Sequence, residues 1–413
     1  MSQHQSFAAL RSPGFRMFFI GNATAMLADN MEHVISYWVL NDKFHSPALG
    51  GFAVISHWLP FLLFSIYVGG LTDRFDPRRM IQLGMLLFMG VSLAWGILFA
   101  SDTLQMWHAM VLLVLHGIAG VLWTAPAQVL VYDIVGAPQL QSAVRSNATA
   151  RFIGTMLGPA VGSTLMLTLK PATAMFINML IYLPLFLWLW KAPYGPKYRS
   201  AEYVRARPMS GFNDVFITLR EIAGNRTMLS MILLAAAASL FVGNAYQAQM
   251  PGFANQLGHG DPGVAYSVLL AADAAGSLFA GFILESRGLL EAKPRTAFML
   301  AAVWCVSLGW FALTDHYWLA VSLLFVTGFV ELAFGAMAQT LVQINAPADI
   351  RGRVVGVFVM AALGMRTFSG VMVGVVGNLI GIHWSLSLSA GLVLLSVSSL
   401  YWFSTQRRLI ADV

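Results

Sequence analysis

Apolar and polar residues alternate along this chain over stretches of about twenty residues, the length a helix needs to cross a bilayer. Runs of that kind fall at 15–41, 47–71, 79–100, 104–135, 139–168 and 172–191. A second set falls at 226–250, 263–286, 295–314, 316–346, 350–380 and 383–404. Each is expected to be α-helical, because a backbone exposed to lipid must satisfy its own hydrogen bonds. The pattern predicts an all-α membrane protein with twelve transmembrane helices in two six-helix bundles.

The long polar stretch between the sets, APYGPKYRSAEYVRARPMSGFND at 192–214, contains Pro193, Pro196 and Pro208, which discourage regular structure. The expected organisation is an N-terminal bundle at 1–191, a cytoplasmic linker at 192–225 and a C-terminal bundle at 226–413. An internal repeat supports the division. GIAGVLWTAPAQVLV (117–131) aligns without gaps to GFVELAFGAMAQTLV (328–342), and both run into an Ala-Pro loop. Duplicated bundles of this kind hold their ligand between the halves.

Composition agrees: 58% of the 413 residues are hydrophobic and only 10% charged, against about 25% charged in soluble domains. Mean hydropathy is +0.71. The net charge of +6 and the pI near 9.5 do not point to nucleic acid, since the basic residues are scattered in short segments between apolar runs. Arg11, Arg16, Arg74, Arg78, Arg79, Lys197, Arg199, Arg205, Arg207, Arg287, Lys293, Arg351, Arg353, Arg407 and Arg408 share one side of the predicted topology. The other side offers Lys43 and Lys170. The positive-inside rule therefore predicts cytoplasmic termini. The polar start MSQHQSFAALRSPGFR precedes a full-length span rather than a short apolar leader, so the first span is expected to be retained. The lone Cys305, in an apolar run, excludes an internal disulfide.

One polar segment stands out after the second run, GGLTDRFDPRRM at 69–80. Gly69 and Gly70 permit close helix approach, and Asp73, Arg74, Arg78 and Arg79 cluster where the helix leaves the membrane. A solvated basic loop that sets topology is the plainest reading. The second half, however, repeats the element in GFILESRG (281–288), with Gly281 four residues before Glu285 and Arg287 following.

This segment resembles the loop between helices two and three of the major facilitator superfamily. The resemblance implies the two-bundle fold and a cytoplasmic gate. It would set Asp73 against the start of span eleven, near Arg351 and Arg353, and Arg74 or Arg78 near Asp133. Asp76-Pro77 departs from the family pattern and is expected to alter the turn. LRSPGFRMFFIGNATAMLADNMEHVISYWVL, GAPQLQSAVRSNATARFIGTMLGPAVG and APADIRGRVVGVFVM resemble, more finely, the branch containing the enterobactin exporter and the macrolide-efflux proteins. Within the second stretch Gly154, Gly158, Pro159 and Gly162 allow tight packing and a kink, and resemble the antiporter motif of drug–proton exchangers. Ser163 stands where a further Gly is common, and Leu113 where the drug exporters carry an arginine. Their proton pathway is therefore not copied directly.

A charge at the bilayer centre costs about 2.5–3.5 kcal/mol even on lenient scales, so such residues face a cavity or a partner. Asp29, Glu32 and His33 in the first run are spaced i, i+3, i+4 and share one helix face. A locally satisfied polar patch is the alternative to a cavity site. His57 joins them from the second run, and His116, in the fourth, is read as a packing or hydrogen-bonding residue. In the second half Glu331 and Arg366 suit either a structural ion pair or a binding role, with Asp273 competing for the arginine. An acid left without the arginine would exchange protons.

These readings converge on a proton-coupled secondary active exporter of an amphipathic, drug-like small molecule in a bacterial inner membrane, working by alternating access. Its expected partners are the solute, protons and the lipid bilayer, with a monomer as the working unit. Siderophore or metabolite export is the alternative suggested by the resemblance, and a non-transporting receptor or sensor is a third reading. The His and carboxylate spacing matches no dedicated metal motif, and no metal or cofactor is expected. No phosphate-binding G-x-x-x-x-G-K-[ST] loop occurs, and no enzymatic activity is expected.

Overall fold

The computed structural model describes residues 6–198, 212–243, 245–258, 262–370, 373 and 376–405. Arg199, Arg205, Arg207, Arg407, Arg408 and much of the expected linker lie outside the described residues. All regular structure among those described is helical. The N-terminal helices are α1 (Pro13–Phe44), α2 (Pro47–Arg74), α3 (Pro77–Ala100), α4 (Met106–Ile181) and α5 (Leu183–Lys191). After them come α6 (Phe212–Gly224), α7 (Arg226–Phe241), α8 (Ala245–Ala248), α9 (Met250–Gln256) and α10 (Pro262–Arg287). The last are α11 (Pro294–Leu313), α12 (Tyr317–Asn345), α13 (Arg351–Ala362), α14 (Val376–Ile380) and α15 (Ile382–Thr405).

Among the described residues seven helices are long and apolar enough to cross a membrane, or eight if the bent pair of α6 and α7 forms one span. The first helix, α1, is not one of the seven; its middle carries Asp29, Asn30, Glu32 and His33. The continuous helix α4 is interrupted at Gly136 (φ 66°) and Lys170 (φ 69°), each followed within two residues by a proline. These breaks divide it into runs at 106–135, 137–169 and 171–181.

Part of the expected linker is regular: α6 is a helix bent 108° from α7. Asp214, Thr218 and Ile222 are buried at four-residue intervals along it, which gives the segment one inward face despite its polar composition. Asn225 caps the following helix, its Oδ1 accepting from Met228 N at 3.1 Å. The runs expected at 226–250 and 350–380 are broken. Gly243 (φ +48°) interrupts the first, and in the second α13 gives way to a 3₁₀ turn at Gly364–Phe368. Side chains donate to backbone carbonyls at these breaks. Ser239 Oγ donates to Ala362 O at 3.0 Å, and Gln249 Nε2 and Ser385 Oγ donate to Val373 O at 3.0 and 2.9 Å.

The chain forms two compact units. One comprises Ala8–Asp214 and Pro347–Val359; the other is built on Val215–Ala346 and Met360–Val413. The segment 347–359, expected within the C-terminal bundle, thus groups with the first unit.

In the first unit glycines set helix spacing. A Cβ on Gly154 would lie 2.9 Å from Met26 Cβ, one on Gly158 2.5 Å from Asn30 Cβ, and one on Gly162 3.2 Å from Met31 Cα. The 137–169 run of α4 therefore seats directly against the back of the α1 segment that carries Asp29 and Glu32. Gly117, in the first run of α4, would overlap the Ser56 carbonyl of α2 if it carried a side chain. In the second unit the aligned Gly328 of α12 stands in the same relation to the Asp273 carbonyl of α10. The sequence repeat is thus also a repeat of packing, with each glycine drawing its helix against a partner that carries a mid-helix ionisable residue, His57 or Asp273.

Candidate functional site

The i, i+3, i+4 spacing on α1 turns Asp29, Glu32 and His33 toward α2 and α4. His116 receives the two acids: its Nε2 lies 2.9 Å from Asp29 Oδ1 and its Nδ1 2.7 Å from Glu32 Oε1. Both ring nitrogens are thereby engaged. Glu32 is buried and its other oxygen accepts from Ser92 Oγ of α3 and from Asn178 Nδ2 at 3.4 Å. Asn178 also donates to Ser92 Oγ at 3.1 Å, so four helical runs contribute to one polar network. Phe88 and Tyr182 stack beneath it with ring centroids 5.1 Å apart.

Beside the network His33 Nε2 meets His57 Nδ1 at 3.1 Å. The three imidazoles of His33, His57 and His116 each offer a nitrogen, all within 4.8 Å of one another. A cavity of about 10 Å³ adjoins them, lined in part by Glu32, His33, Ser36, Tyr37, His57 and His116. That volume holds one water or one ion and is far too small for an organic solute.

A second cluster lies in the other unit. Tyr246 Oη, with one proton to donate, lies 3.2 Å from Asp273 Oδ2 and 3.3 Å from Glu331 Oε2. Gln247 Nε2 reaches Asp273 Oδ2 at 3.3 Å. Asp273 Oδ1 is buried and accepts no hydrogen bond among the described residues. Arg366 lies in the 3₁₀ turn at Gly364–Phe368, where its carbonyl accepts from Ser369 Oγ at 2.9 Å.

The 69–80 segment is organised around Asp73. Its Oδ1 accepts from Gly352 N at 2.7 Å, and its Oδ2 from Arg353 N and Nε, both at 3.2 Å. Arg353 is fully buried and its Nη1 lies 4.0 Å from Asp214 Oδ1. Gly69, Gly352 and Gly356 bring α2 and α13 together, with a Cβ on Gly69 placed 2.8 Å from Gly356 Cα. Arg351 lies over the Tyr132 ring, 3.7 Å from its centroid. Arg78 turns to Asp76 at 2.5 Å and to the Ala192 carbonyl. Arg79 bonds Gln82 at 2.7 Å, and Arg74 lies over Phe75 at 5.3 Å. Asp76-Pro77 opens α3: Asp76 is its N-cap, with Oδ1 accepting from Arg78 N at 3.0 Å, and Pro77 occupies the first helical position. Asp133 lies in α4, just before the Gly136 break. Glu285 is buried in the last turns of α10, and Arg287 closes that helix.

Sequence reasoning missed the centre of the first cluster. His116 was expected only to pack or hydrogen-bond, and Ser92, Asn178, Tyr246 and Gln247 were not singled out. The adjacent Gly117 is the available signal for His116, because it marks a close helix contact at that level. Tyr246 and Gln247 sit beside a glycine break in a span, where freed backbone draws polar side chains.

Membrane-length apolar helices that bury ionisable networks mark a multi-pass membrane protein. Residues 4–409 match the family described as "Transmembrane secretion effector", and the chain belongs to that family of major facilitator superfamily transporters. The staphyloferrin A transporter of Staphylococcus aureus (strain NCTC 8325 / PS 47) is 18% identical over 406 residues, covering 95% of this chain and 94% of that protein. Among solved structures, the FucP transporter in its outward conformation has a TM-score of 0.73 at 13% identity, covering 94% of this chain and 98% of that one. The human organic anion transporter MFSD10 has a TM-score of 0.71 at 14% identity, covering 94% and 99%. An outward-facing bacterial homologue of the iron transporter ferroportin has 0.70 at 14%, covering 95% and 99%. These structural likenesses establish the fold, and the family is one of transporters rather than enzymes.

Proposed function

We propose that the protein is a proton-coupled secondary active exporter of an amphipathic small molecule. It works by alternating access between two six-helix bundles in a bacterial inner membrane, as a monomer with cytoplasmic termini. The observation that carries this reading is Asp273: buried, sharing the Tyr246 hydroxyl with Glu331, and with Oδ1 accepting no hydrogen bond among the described residues. Two carboxylates on one hydroxyl can hold a proton between them or release it. Each such event changes the charge of the interior by one, which is what couples a gradient to a conformational step. In this reading Asp29, Glu32, His33 and His57 form the charged site of the first unit, and Asp273, Glu331 and Arg366 that of the second. Gly69, Gly70, Asp73, Arg74, Arg78 and Arg79, with Asp133, Glu285 and Arg287, act as the cytoplasmic gate. The antiporter-like Gly154, Gly158, Pro159 and Gly162 and the family's description as secretion effectors favour export.

The test is flux from proteoliposomes under an imposed pH gradient, with cationic amphipathic dyes as first solutes. Wild-type protein is expected to accelerate efflux only when the gradient is present, and Asp273→Asn to lose that dependence. Efflux at equal rates with and without the gradient overturns proton coupling. A second reading, siderophore export, is favoured by the staphyloferrin A transporter as a relative. Gradient-driven flux of a metal-free siderophore but of no dye would select it.

A further inference from the structure

We propose that His33, His57 and His116 form a binding site for one divalent first-row transition-metal ion, with Asp29 and Glu32 supplying the compensating charge. No regular metal motif announces it. His33 and His57 stand 24 residues apart in sequence, and His116 comes from a third helix, so only the fold assembles the set.

Four observations carry the proposal independently of whether or how the protein transports. The donors are right: three imidazole nitrogens within 4.8 Å of one another, where metal–nitrogen bonds of about 2.0–2.1 Å require only a small inward turn. Imidazole with carboxylate selects zinc, iron, cobalt, nickel or copper over magnesium or calcium, which take oxygen shells. The space is right: the adjoining cavity of about 10 Å³ accepts a single ion. The charge is right: two carboxylates opposite a dication make a neutral assembly, the condition under which charged groups are tolerated inside a membrane.

The fourth observation is the support around the ligands. A metal-binding histidine generally directs its second ring nitrogen to a carboxylate or carbonyl. His116 holds a carboxylate at each nitrogen, Asp29 at 2.9 Å and Glu32 at 2.7 Å. When one nitrogen turns to the ion, the other keeps its orienting carboxylate and the released carboxylate is free to become a fourth ligand. Glu32 is braced by Ser92 and Asn178, while Asp29, the more exposed acid, has fewer ties. Asp29 is therefore the carboxylate assigned to move.

The experiment uses the full chain in detergent, purified with a tag lacking histidine. Cobalt(II) is titrated by its visible ligand-field absorption, and zinc-loaded wild type is read by X-ray absorption. One cobalt per chain and a zinc shell containing three imidazoles are expected. His57→Ala and His116→Ala should each weaken cobalt binding at least about tenfold. His383→Ala, which removes a ring bonded to Ala312 O and Gln256 in the other unit, should bind as wild type. Absence of cobalt binding by wild type, unchanged affinity in His57→Ala, or a zinc shell with fewer than three imidazoles overturns the site. The X-ray measurement requires no variant, so misfolding of a substituted chain does not shield the proposal. Proton-driven flux in metal-free vesicles tests the export reading separately.

Discussion

Glu32 and His116 meet at 2.7 Å across 84 residues of sequence, both buried, in a segment of chain otherwise built for lipid. The bond closes a network in which one imidazole separates two acids, and its loss would expose what it compensates.

His116→Ala should therefore be among the most destabilising single substitutions in the first unit. It leaves Glu32 and Asp29 without their shared partner, and removing one side of a buried charged pair costs about 3–5 kcal/mol. Glu32→Gln, which keeps the side-chain shape and one carbonyl oxygen and replaces the other oxygen by an NH2 group, should cost clearly less. Thermal unfolding of both variants in detergent, read by loss of monodisperse protein, checks the order. Equal stability of His116→Ala and wild type contradicts it.

Asp29→Asn separates charge from shape. The amide can meet His116 Nε2 with its oxygen or its NH2, whichever tautomer the ring adopts, so the variant should fold and elute as wild type. Gradient-driven efflux should nonetheless fall to the level of protein-free vesicles. Wild-type rates in reconstituted Asp29→Asn would remove this carboxylate from the coupling or binding site.

The paired glycines give a packing prediction. Gly328→Ala drives a methyl into the Asp273 carbonyl region, where backbone cannot yield, and should cost about 1–3 kcal/mol. Gly335→Ala, on the same helix with nothing within 4 Å, should be neutral or stabilise by up to about 1 kcal/mol. Melting temperatures of the two variants should move in opposite directions or differ by several degrees.

Asp73→Ala removes the acceptor of two backbone N–H groups and the partner of the buried Arg353. Hydrogen exchange across 351–359 should accelerate by at least about tenfold, the equivalent of a hydrogen bond to a charged group, while 382–405 stays unchanged. Unaltered protection of 351–359 would show that the glycine crossing alone holds this segment.

The membrane class and the position of most helices were legible because bilayer thickness imposes a length that the apolar runs state directly. The helix breaks at Gly243 and after Ala362 were not, since an interrupted span is as apolar as a continuous one. Asp29, Glu32 and His33 were visible as a face because their spacing is local. His116 was not recognisable as the hub, because its role depends on which helices neighbour α4, and a single histidine in an apolar run looks the same whether it packs or bridges two acids. The same limit hid the three-imidazole set, whose members lie on three helices. Asp73 was readable through its resemblance to a known loop, while the polar composition of 212–224 conceals a helix whose inward face of Asp214, Thr218 and Ile222 is defined only by packing.

The glycines at 154, 158 and 162 touch none of the ionisable groups, yet they are the bearing on which α1 rests. A methyl group added to that bearing would tilt or slide the helix and carry Asp29, Glu32 and His33 with it as one rigid lever. If these groups bind a ligand as proposed, its preference is adjustable from the far side of α1, by changes that leave every atom of the site chemically intact.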